Sequence, residues 1–174
     1  ILPAKPITIP SGASFFMPFN MKLGHNNLVY STAQPIAKME QDKNVTVVFA
    51  QNKNIPADFV FDDDGIIVEA PHANLRKYNK RIFIENVSTG TNAAIRIKQA
   101  DQTTITIILL DEIQSLTFWQ GNLAGKNRFF LSTSGLTFQQ DELQLEDERR
   151  NNISVAIYPA PTNLTLNKQT LKGK

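Results

Sequence analysis

Apolar and polar residues alternate in short segments along most of the chain, which is the pattern of half-buried β-strands. The apolar residues of each segment share one face of a predicted strand: Val45, Val47 and Phe49; Phe59 and Phe61; Ile82 and Ile84; Ile95 and Ile97; Leu143 and Leu145; Ile153, Val155 and Ile157. Turn-forming residues separate the segments. The pattern predicts an all-β domain of about ten short strands, an antiparallel β-sandwich or a related multi-sheet fold.

One segment departs from this alternation. Residues 103–110 are β-branched or apolar throughout, with the longest apolar run interrupted by Thr106, and predict a strand that is buried on both faces. Asp111 follows with a side chain suited to capping a helix, and apolar residues then recur at spacing three as far as Trp119. The sequence therefore predicts one short helix near residues 111–120, closed by Gly121.

The amino-acid composition favours a β-rich fold and argues against several classes of function. Val, Ile and Thr make up more than a fifth of the chain, and such side chains favour strands. Eighteen basic and sixteen acidic residues give a net charge of +2, too small for a nucleic-acid footprint. There is no cysteine for a disulfide, and the longest apolar run is far shorter than a membrane span. We expect no nucleic-acid partner, no membrane insertion and no cofactor.

Both ends of the chain are predicted to connect the domain to further modules. It begins at Ile1 without Met, among Pro3, Pro6 and Pro10, which is typical of a linker that enters a domain. We predict a linker over residues 1–6, a β domain over 7–161, and the start of a further strand or a frayed tail over 162–174.

The aspartate-rich segment 62–65, Asp-Asp-Asp-Gly, invites comparison with a calcium loop. Calcium loops of the EF-hand type need Gly at position 6 and Glu at position 12, and the latter position would be Pro71. The segment instead predicts a hairpin turn between residues 57–61 and 66–69.

The other titratable residues do not form a recognisable catalytic or metal-binding pattern. His25 and His72 lie in predicted turns without a clustered partner, so exposed loop positions are expected. The acidic runs are adjacent along the chain and point apart, as surface or cap residues do: Asp111-Glu112, Asp141-Glu142 and Glu146-Asp147-Glu148. We predict no catalytic residue and no metal ligand in this chain.

Trp119 and its neighbour Phe118 admit two interpretations. Aromatic rings can stack on the C–H face of a sugar, so the pair is a candidate carbohydrate-binding platform. A single Trp beside Leu116 is more often an anchor in an apolar core. Core packing is the favoured interpretation.

Two segments carry a resemblance to a known family. Residues 15–24 read Phe-Phe-Met-Pro-Phe-Asn-Met-Lys-Leu-Gly, and residues 30–35 read Tyr-Ser-Thr-Ala-Gln-Pro. These resemble the segment that follows the catalytic barrel in bacterial β-galactosidase-like enzymes of glycoside hydrolase family 35, which carry Pro-Phe-Asn and then Tyr-(Ser/Ala)-Thr-Ala-Gln-Pro. Later segments are similar in the same order, so the resemblance covers most of residues 7–161.

The resemblance implies a non-catalytic β accessory domain of a larger bacterial glycoside hydrolase, exported to the periplasm, the cell surface or the medium. The family's catalytic glutamates lie on a preceding (β/α)₈ barrel, and its acid/base follows an Asn. No Glu follows an Asn here, and 174 residues are too few for a barrel of about 250. The expected partners are the barrel and other β modules of the same parent protein.

Within that reading, Phe16, Phe19, Tyr30, Gln34 and Pro35 form a motif expected to serve the core or an interdomain contact. Two other readings remain open. The chain could be an autonomous carbohydrate-binding module that uses Trp119, with a glycan as its partner. It could also be an adhesin or assembly subunit whose edge strands recruit a partner.

Overall fold

The computed structural model describes residues 6–12, 15–139, 142–146, 153–162, 165–166 and 169–170. The linker residues 1–5, the acidic residues Asp141, Asp147 and Glu148, and much of the segment 162–174 lie outside this part of the chain. The described residues form seventeen strands and one helix, α1 (Glu112–Leu116). The strands are β1 (Phe19–Leu23), β2 (Asn26–Ser31), β3 (Gln34–Gln41), β4 (Asn44–Ala50), β5 (Phe59–Asp62), β6 (Ile67–Glu69), β7 (Asn74–Tyr78), β8 (Arg81–Glu85), β9 (Gly90–Lys98), β10 (Thr104–Leu110), β11 (Phe118–Leu123), β12 (Lys126–Ser132), β13 (Gly135–Gln139), β14 (Glu142–Glu146), β15 (Val155–Tyr158), β16 (Thr165–Leu166) and β17 (Gln169–Thr170).

The predicted all-β class is confirmed. The strands belong to two compact units, one up to Ser115 and one from Leu116 onward. The first unit contains two five-stranded sheets: sheet A has the order β1-β2-β5-β8-β7, and sheet B has the order β3-β4-β10-β9-β6.

One apolar core joins the two sheets of the first unit. The alternating residues of β4, β5, β8 and β9 contribute to it, among them Val47 and Phe49 from sheet B and Phe59 and Phe61 from sheet A. The alternating residues nearer the C-terminal end instead pack in the second unit: Leu143, Leu145, Val155 and Ile157. The rings of Phe49 and Phe59 meet edge to face with centroids 5.0 Å apart. Because both sheets direct their apolar faces into this cluster, the first unit is a β-sandwich.

The strand predicted to be buried on both faces is β10, and this prediction is confirmed. Residues Ile105 and Ile107–Leu110 are all buried. β10 lies at the centre of sheet B, where it pairs in parallel with β4 and antiparallel with β9. A central strand with neighbours on both sides accounts for an almost continuous apolar sequence.

The hairpin predicted around residues 62–65 is wrong. β5 pairs with β2 and β8 in sheet A, whereas β6 pairs with β9 in sheet B. The aspartate-rich segment therefore crosses from one sheet to the other, and Gly65 takes a positive φ of 73° at the bend. Both strands direct apolar residues toward one shared core, so the alternation alone could not distinguish a hairpin from a crossing.

The predicted helix is present, but it is shorter than predicted. α1 ends at Leu116, and Trp119 and Gly121 lie on strand β11. The N-terminal cap is as expected: the Gln114 amide donates to Asp111 Oδ1 at 2.8 Å, and Gln114 Oε1 accepts from the Asp111 amide at 3.2 Å. Ile113 and Leu116 are exposed, so no apolar face stabilises a longer helix.

The second unit is built on a smaller core. Strands β11, β12 and β15 form an antiparallel sheet, and the hairpin β13–β14 packs against it. Leu123, Phe130 and Leu136 are buried at the centre of this cluster. β16 and β17 form a separate pair of two-residue strands.

Candidate functional site

The Tyr30–Pro35 segment, which carries the family resemblance, is a crossing between the two sheets. It leaves sheet A at the end of β2 and enters sheet B at the start of β3. Ser31, Thr32 and Ala33 are buried at this crossing. The Ser31 hydroxyl accepts a hydrogen bond of 2.9 Å from the Ala33 amide, which stabilises the tight bend.

Thr32 ties this crossing to a second one. Its hydroxyl donates to the Pro56 carbonyl at 2.7 Å and accepts from the Asp58 amide at 2.8 Å. Its backbone amide donates to the Asp58 carbonyl at 3.0 Å, and its carbonyl accepts from Asn52 Nδ2 at 2.6 Å. Residues 51–58 connect β4 to β5, so one buried threonine holds together both connections at this end of the sandwich.

The outer face of sheet A carries a second apolar cluster, which we call the aromatic face. Tyr30, Val60 and Phe83 are buried in it, and Met17 packs against it. Phe19 covers its edge with a ring 6.2 Å from that of Tyr30, yet 51% of Phe19 remains exposed.

Phe16 precedes Met17 and is 59% exposed. The predicted core-or-interface motif thus divides in two: Tyr30 belongs to the protein interior, whereas Phe16 and Phe19 present apolar surface to the outside. Gln34 is exposed at the start of β3, and Pro35 is half-buried beside a β-bulge.

Trp119 lies on strand β11, at the edge of a three-stranded sheet. Its ring nitrogen donates to the Ser132 carbonyl at 3.4 Å, and 37% of the side chain is exposed. Phe118 is half-buried, with its ring 5.4 Å from that of Phe129. Because successive residues of a strand point to opposite faces, Trp119 and Phe118 do not form one continuous platform.

His25 is exposed, as predicted, but it has a carboxylate partner that the sequence did not reveal. His25 Nε2 lies 3.1 Å from Asp101 Oδ2. Asp101 is held in place by Thr103, whose amide and hydroxyl donate to its two carboxylate oxygens at 2.9 and 2.8 Å. These hydrogen bonds from Thr103, with a smaller contribution from His25, lower the pKa of Asp101. His25 and Asp101 lie in turns 76 positions apart along the chain, so the sequence alone gives no sign that they are in contact.

The buried Gln99 reinforces this contact between sheets. Its side-chain amide donates to the Leu23 carbonyl, and its oxygen accepts from the His25 amide, both at 3.2 Å. A Cβ on Gly24 would lie 2.7 Å from that oxygen, so the absence of a side chain at Gly24 permits the approach.

Several other carboxylates form ion pairs with nearby cations. Glu69 meets Lys98 at 2.9 Å, Asp63 meets Lys77 at 3.2 Å, and Glu85 meets Arg76 at 3.5 Å. The hydrogen bond and charge of Lys98 lower the pKa of Glu69. Within the described ranges, no three His, Asp or Glu residues are placed to hold a metal ion together.

The sequence matches no protein-family model and no curated protein. In the described part of the chain, no helix has the length and apolar character needed to cross a bilayer.

Proposed function

We propose that this chain is a non-catalytic β accessory domain of a larger, exported bacterial glycoside hydrolase of the β-galactosidase type, in which it packs against the catalytic barrel and positions it. The choice of enzyme family rests on the resemblance of residues 15–24 and 30–35 to the segment that follows the catalytic barrel in glycoside hydrolase family 35. The observation that carries the proposal is the aromatic face, where Phe16 and Phe19 are exposed beside the buried Tyr30.

The exposed aromatics suit an interdomain contact. Burial of a phenylalanine side chain contributes about 1.5–3 kcal/mol, so two half-exposed rings supply a useful part of a docking energy. Contacts between domains of one chain typically bury about 600–1,500 Å². Phe19 lies beside a buried cluster, which favours a defined docking geometry.

The Tyr30–Pro35 segment contributes in a different way. Its buried residues bond to the neighbouring crossing, so in this chain they hold the sandwich together and leave their side chains unavailable to a substrate. A scaffold role for the motif is consistent with an accessory domain.

The first experiment is an activity assay on the purified 174-residue chain with nitrophenyl β-galactoside and a panel of related glycosides. We expect no turnover. Measurable hydrolysis that persists after further purification would contradict a non-catalytic role.

The second experiment measures docking. The gene that encodes this chain should also encode a barrel with an Asn-Glu at the end of a strand. Titration of that barrel with the chain should show binding, and Phe16→Ala with Phe19→Ala should weaken it. Thr8→Ala, at an exposed position outside the aromatic face, is the matched control. A gene without a barrel, or docking unchanged by both substitutions, would refute the proposal.

A carbohydrate-binding module centred on Trp119 is the second candidate, favoured by the remaining exposure of that side chain. Quenching by acrylamide and a shift of Trp fluorescence with galactan fragments would support it. Fluorescence that does not respond to a panel of oligosaccharides would favour the accessory domain.

A further inference from the structure

The crossing from β5 to β6 contains the one Asp-Gly pair in the sequence, Asp64-Gly65. In such a pair the glycine amide nitrogen can attack the side-chain carbon Cγ of the aspartate and close a five-membered succinimide ring. The reaction needs a carboxyl group that is not held by a neighbour, an amide that is not hydrogen-bonded, and room for the ring to close. The folded chain meets all three conditions at this pair.

The carboxyl group of Asp64 is not held by a neighbour. Asp64 is exposed and forms no hydrogen bond or ion pair with a described residue. A carboxylate that accepts hydrogen bonds must give them up before it can cyclise, and most other described aspartates are in that position: Asp58 is held by Asn86, Asp62 by Asn27, Asp63 by Lys77, Asp101 by Thr103 and Asp111 by Gln114.

The attacking amide of Gly65 is equally accessible. It donates to no described group, so no hydrogen bond is lost when the nitrogen turns toward the carboxyl carbon. Gly65 has a φ of 73°, and outside its chain neighbours no heavy atom lies within 4 Å of the position that a Cβ would occupy. A residue with a side chain would place that Cβ beside the attacking nitrogen, which glycine avoids. Asp42 provides the contrast, because it is also exposed without a described partner but is followed by Lys43.

We propose that Asp64 is a modification site at which the folded chain converts spontaneously to L-isoaspartate. The Gly65 nitrogen bonds to Cγ, and the carboxyl hydroxyl leaves with the amide proton as water. Water then opens the succinimide: addition at Cγ restores aspartate, whereas addition at the main-chain carbonyl carbon leaves the chain running through Cβ and Cγ with its mass unchanged. The α-carboxylate released in this way is a substrate for an L-isoaspartyl methyltransferase, which transfers the methyl group of S-adenosylmethionine to it. The reaction is independent of the docking proposed for the aromatic face.

The conversion alters a connection that is anchored on both sides. On one side, the Asp63 amide donates to the Lys80 carbonyl at 2.9 Å, and on the other, Ile66 is buried in the core between the two sheets. Isoaspartate adds one atom to the main chain between these anchors. Chains that carry isoaspartate, separated from the parent by ion exchange, should therefore unfold at a lower urea concentration. Equal urea midpoints would overturn this consequence.

The test incubates the 174-residue chain for several weeks in mildly acidic buffer made with heavy-oxygen water, and then digests it in ordinary water for mass spectrometry. We expect the peptide that contains Asp64 to gain one heavy oxygen, because opening of the ring takes its oxygen from the solvent. Part of that peptide should also accept a methyl group from the methyltransferase. The synthetic peptide acetyl-Asp-Asp-Asp-Gly-Ile-Ile-amide gives the rate for an unfolded chain, and the folded chain should react within an order of magnitude of it. A folded chain that stays unlabelled while the peptide reacts, or equal labelling at Asp42, would refute the proposal.

Substitutions then test the two reacting groups. Asp64→Glu keeps the charge and should abolish labelling, because a six-membered ring closes far more slowly. Gly65→Ala should slow labelling severalfold. Gly125→Ala is the matched control, since Gly125 also has a positive φ, 68°, and open space around it, and this variant should label at the parent rate. Undiminished labelling of Asp64→Glu, or equal slowing by both alanine variants, would contradict a succinimide between Asp64 and Gly65.

Discussion

Thr32 shows how much one buried hydroxyl can connect. It satisfies the Pro56 carbonyl and the Asp58 amide at once, at 2.7 and 2.8 Å. Both groups belong to the connection between β4 and β5, so the hydroxyl adds two bonds to the backbone hydrogen bond from the Thr32 amide to the Asp58 carbonyl. A threonine in a turn-like sequence gives no sign of such a role, since the same residue is common at exposed turns.

Thr32→Val should therefore destabilise the first unit by about 1–3 kcal/mol, because it keeps the shape of the side chain and removes both hydrogen bonds of the hydroxyl, each of which contributes about 0.5–1.5 kcal/mol. Urea denaturation followed by circular dichroism measures this change. Thr106→Val is the matched control, since the half-buried Thr106 side chain has no hydrogen bond to a described residue. Equal losses for the two variants would contradict a special role for Thr32.

The contact between His25 and Asp101, which joins turns of the two sheets, should weaken at acid pH. Hydrogen bonds from Thr103 lower the pKa of Asp101 in the folded protein below the value of about 3.9 expected in the unfolded chain. The ionised form is thus favoured by folding. Its stabilising effect is present above the unfolded pKa and is lost as the pH falls through the lowered, folded pKa.

The Asp101→Asn variant should consequently have a lower free energy of unfolding than the parent chain at pH 7. This difference should shrink as the pH falls from the unfolded pKa of Asp101 through its lowered, folded pKa. Urea midpoints at a series of pH values measure it. Asp64→Asn alters an exposed carboxylate without a described partner and serves as the control. A difference for Asp101→Asn that stays constant down to the lowest pH would contradict this account.

At the scale of elements, the alternation of apolar and polar residues predicts where the strands lie, but it does not predict which strands pair with each other. The core residues of β4, β5, β8 and β9 were all identified from their spacing. The same spacing placed residues 57–61 and 66–69 in one hairpin, because it shows which face is buried and not which sheet a strand joins. The extent of α1 is overestimated because Ile113, Leu116 and Trp119 recur at helical spacing, although the first two are exposed and the third lies on β11.

Strand β11 depends on a glycine that the sequence suggested as a helix stop. A Cβ on Gly121 would lie 2.8 Å from three atoms of the Phe138 ring, which packs 4.9 Å from the ring of Phe130. The missing side chain therefore lets the hairpin β13–β14 approach the sheet.

Gly121→Ala should destabilise the second unit by about 1–3 kcal/mol, because the ring of Phe138 must shift out of a packed cluster. Near-ultraviolet circular dichroism and thermal melting measure the change. Phe138→Leu removes part of the clash, so the double variant should lose less stability than the sum of the single changes. Additive losses would contradict the direct contact.

At the scale of the whole molecule, aromatic residues serve two purposes that the sequence did not separate. Phe59 is fully buried, whereas Phe19 is 51% exposed on the aromatic face. Both lie in apolar strand patterns. Only the three-dimensional structure shows that one residue belongs to the core and the other to a surface.

Phe59→Ala should cost about 3–5 kcal/mol of folding stability, because it leaves a cavity beside Phe49. Phe19→Ala should change the melting temperature of the isolated chain far less, since much of its ring is already in water. Differential scanning calorimetry compares the two. A loss for Phe19→Ala as large as that for Phe59→Ala would show that Phe19 is a core residue and would remove the basis for docking at this face.

The parallel pairing of β4 with β10 has a consequence for how the chain acquires its structure. Asn44 lies opposite Thr104, so the centre of sheet B joins segments 60 positions apart. Contacts of such high sequence separation slow folding, since a long loop must close before they form. During synthesis, β4 remains without its central neighbour until β10 has left the ribosome, so the apolar side chains of β4 stay exposed to aggregation over that interval.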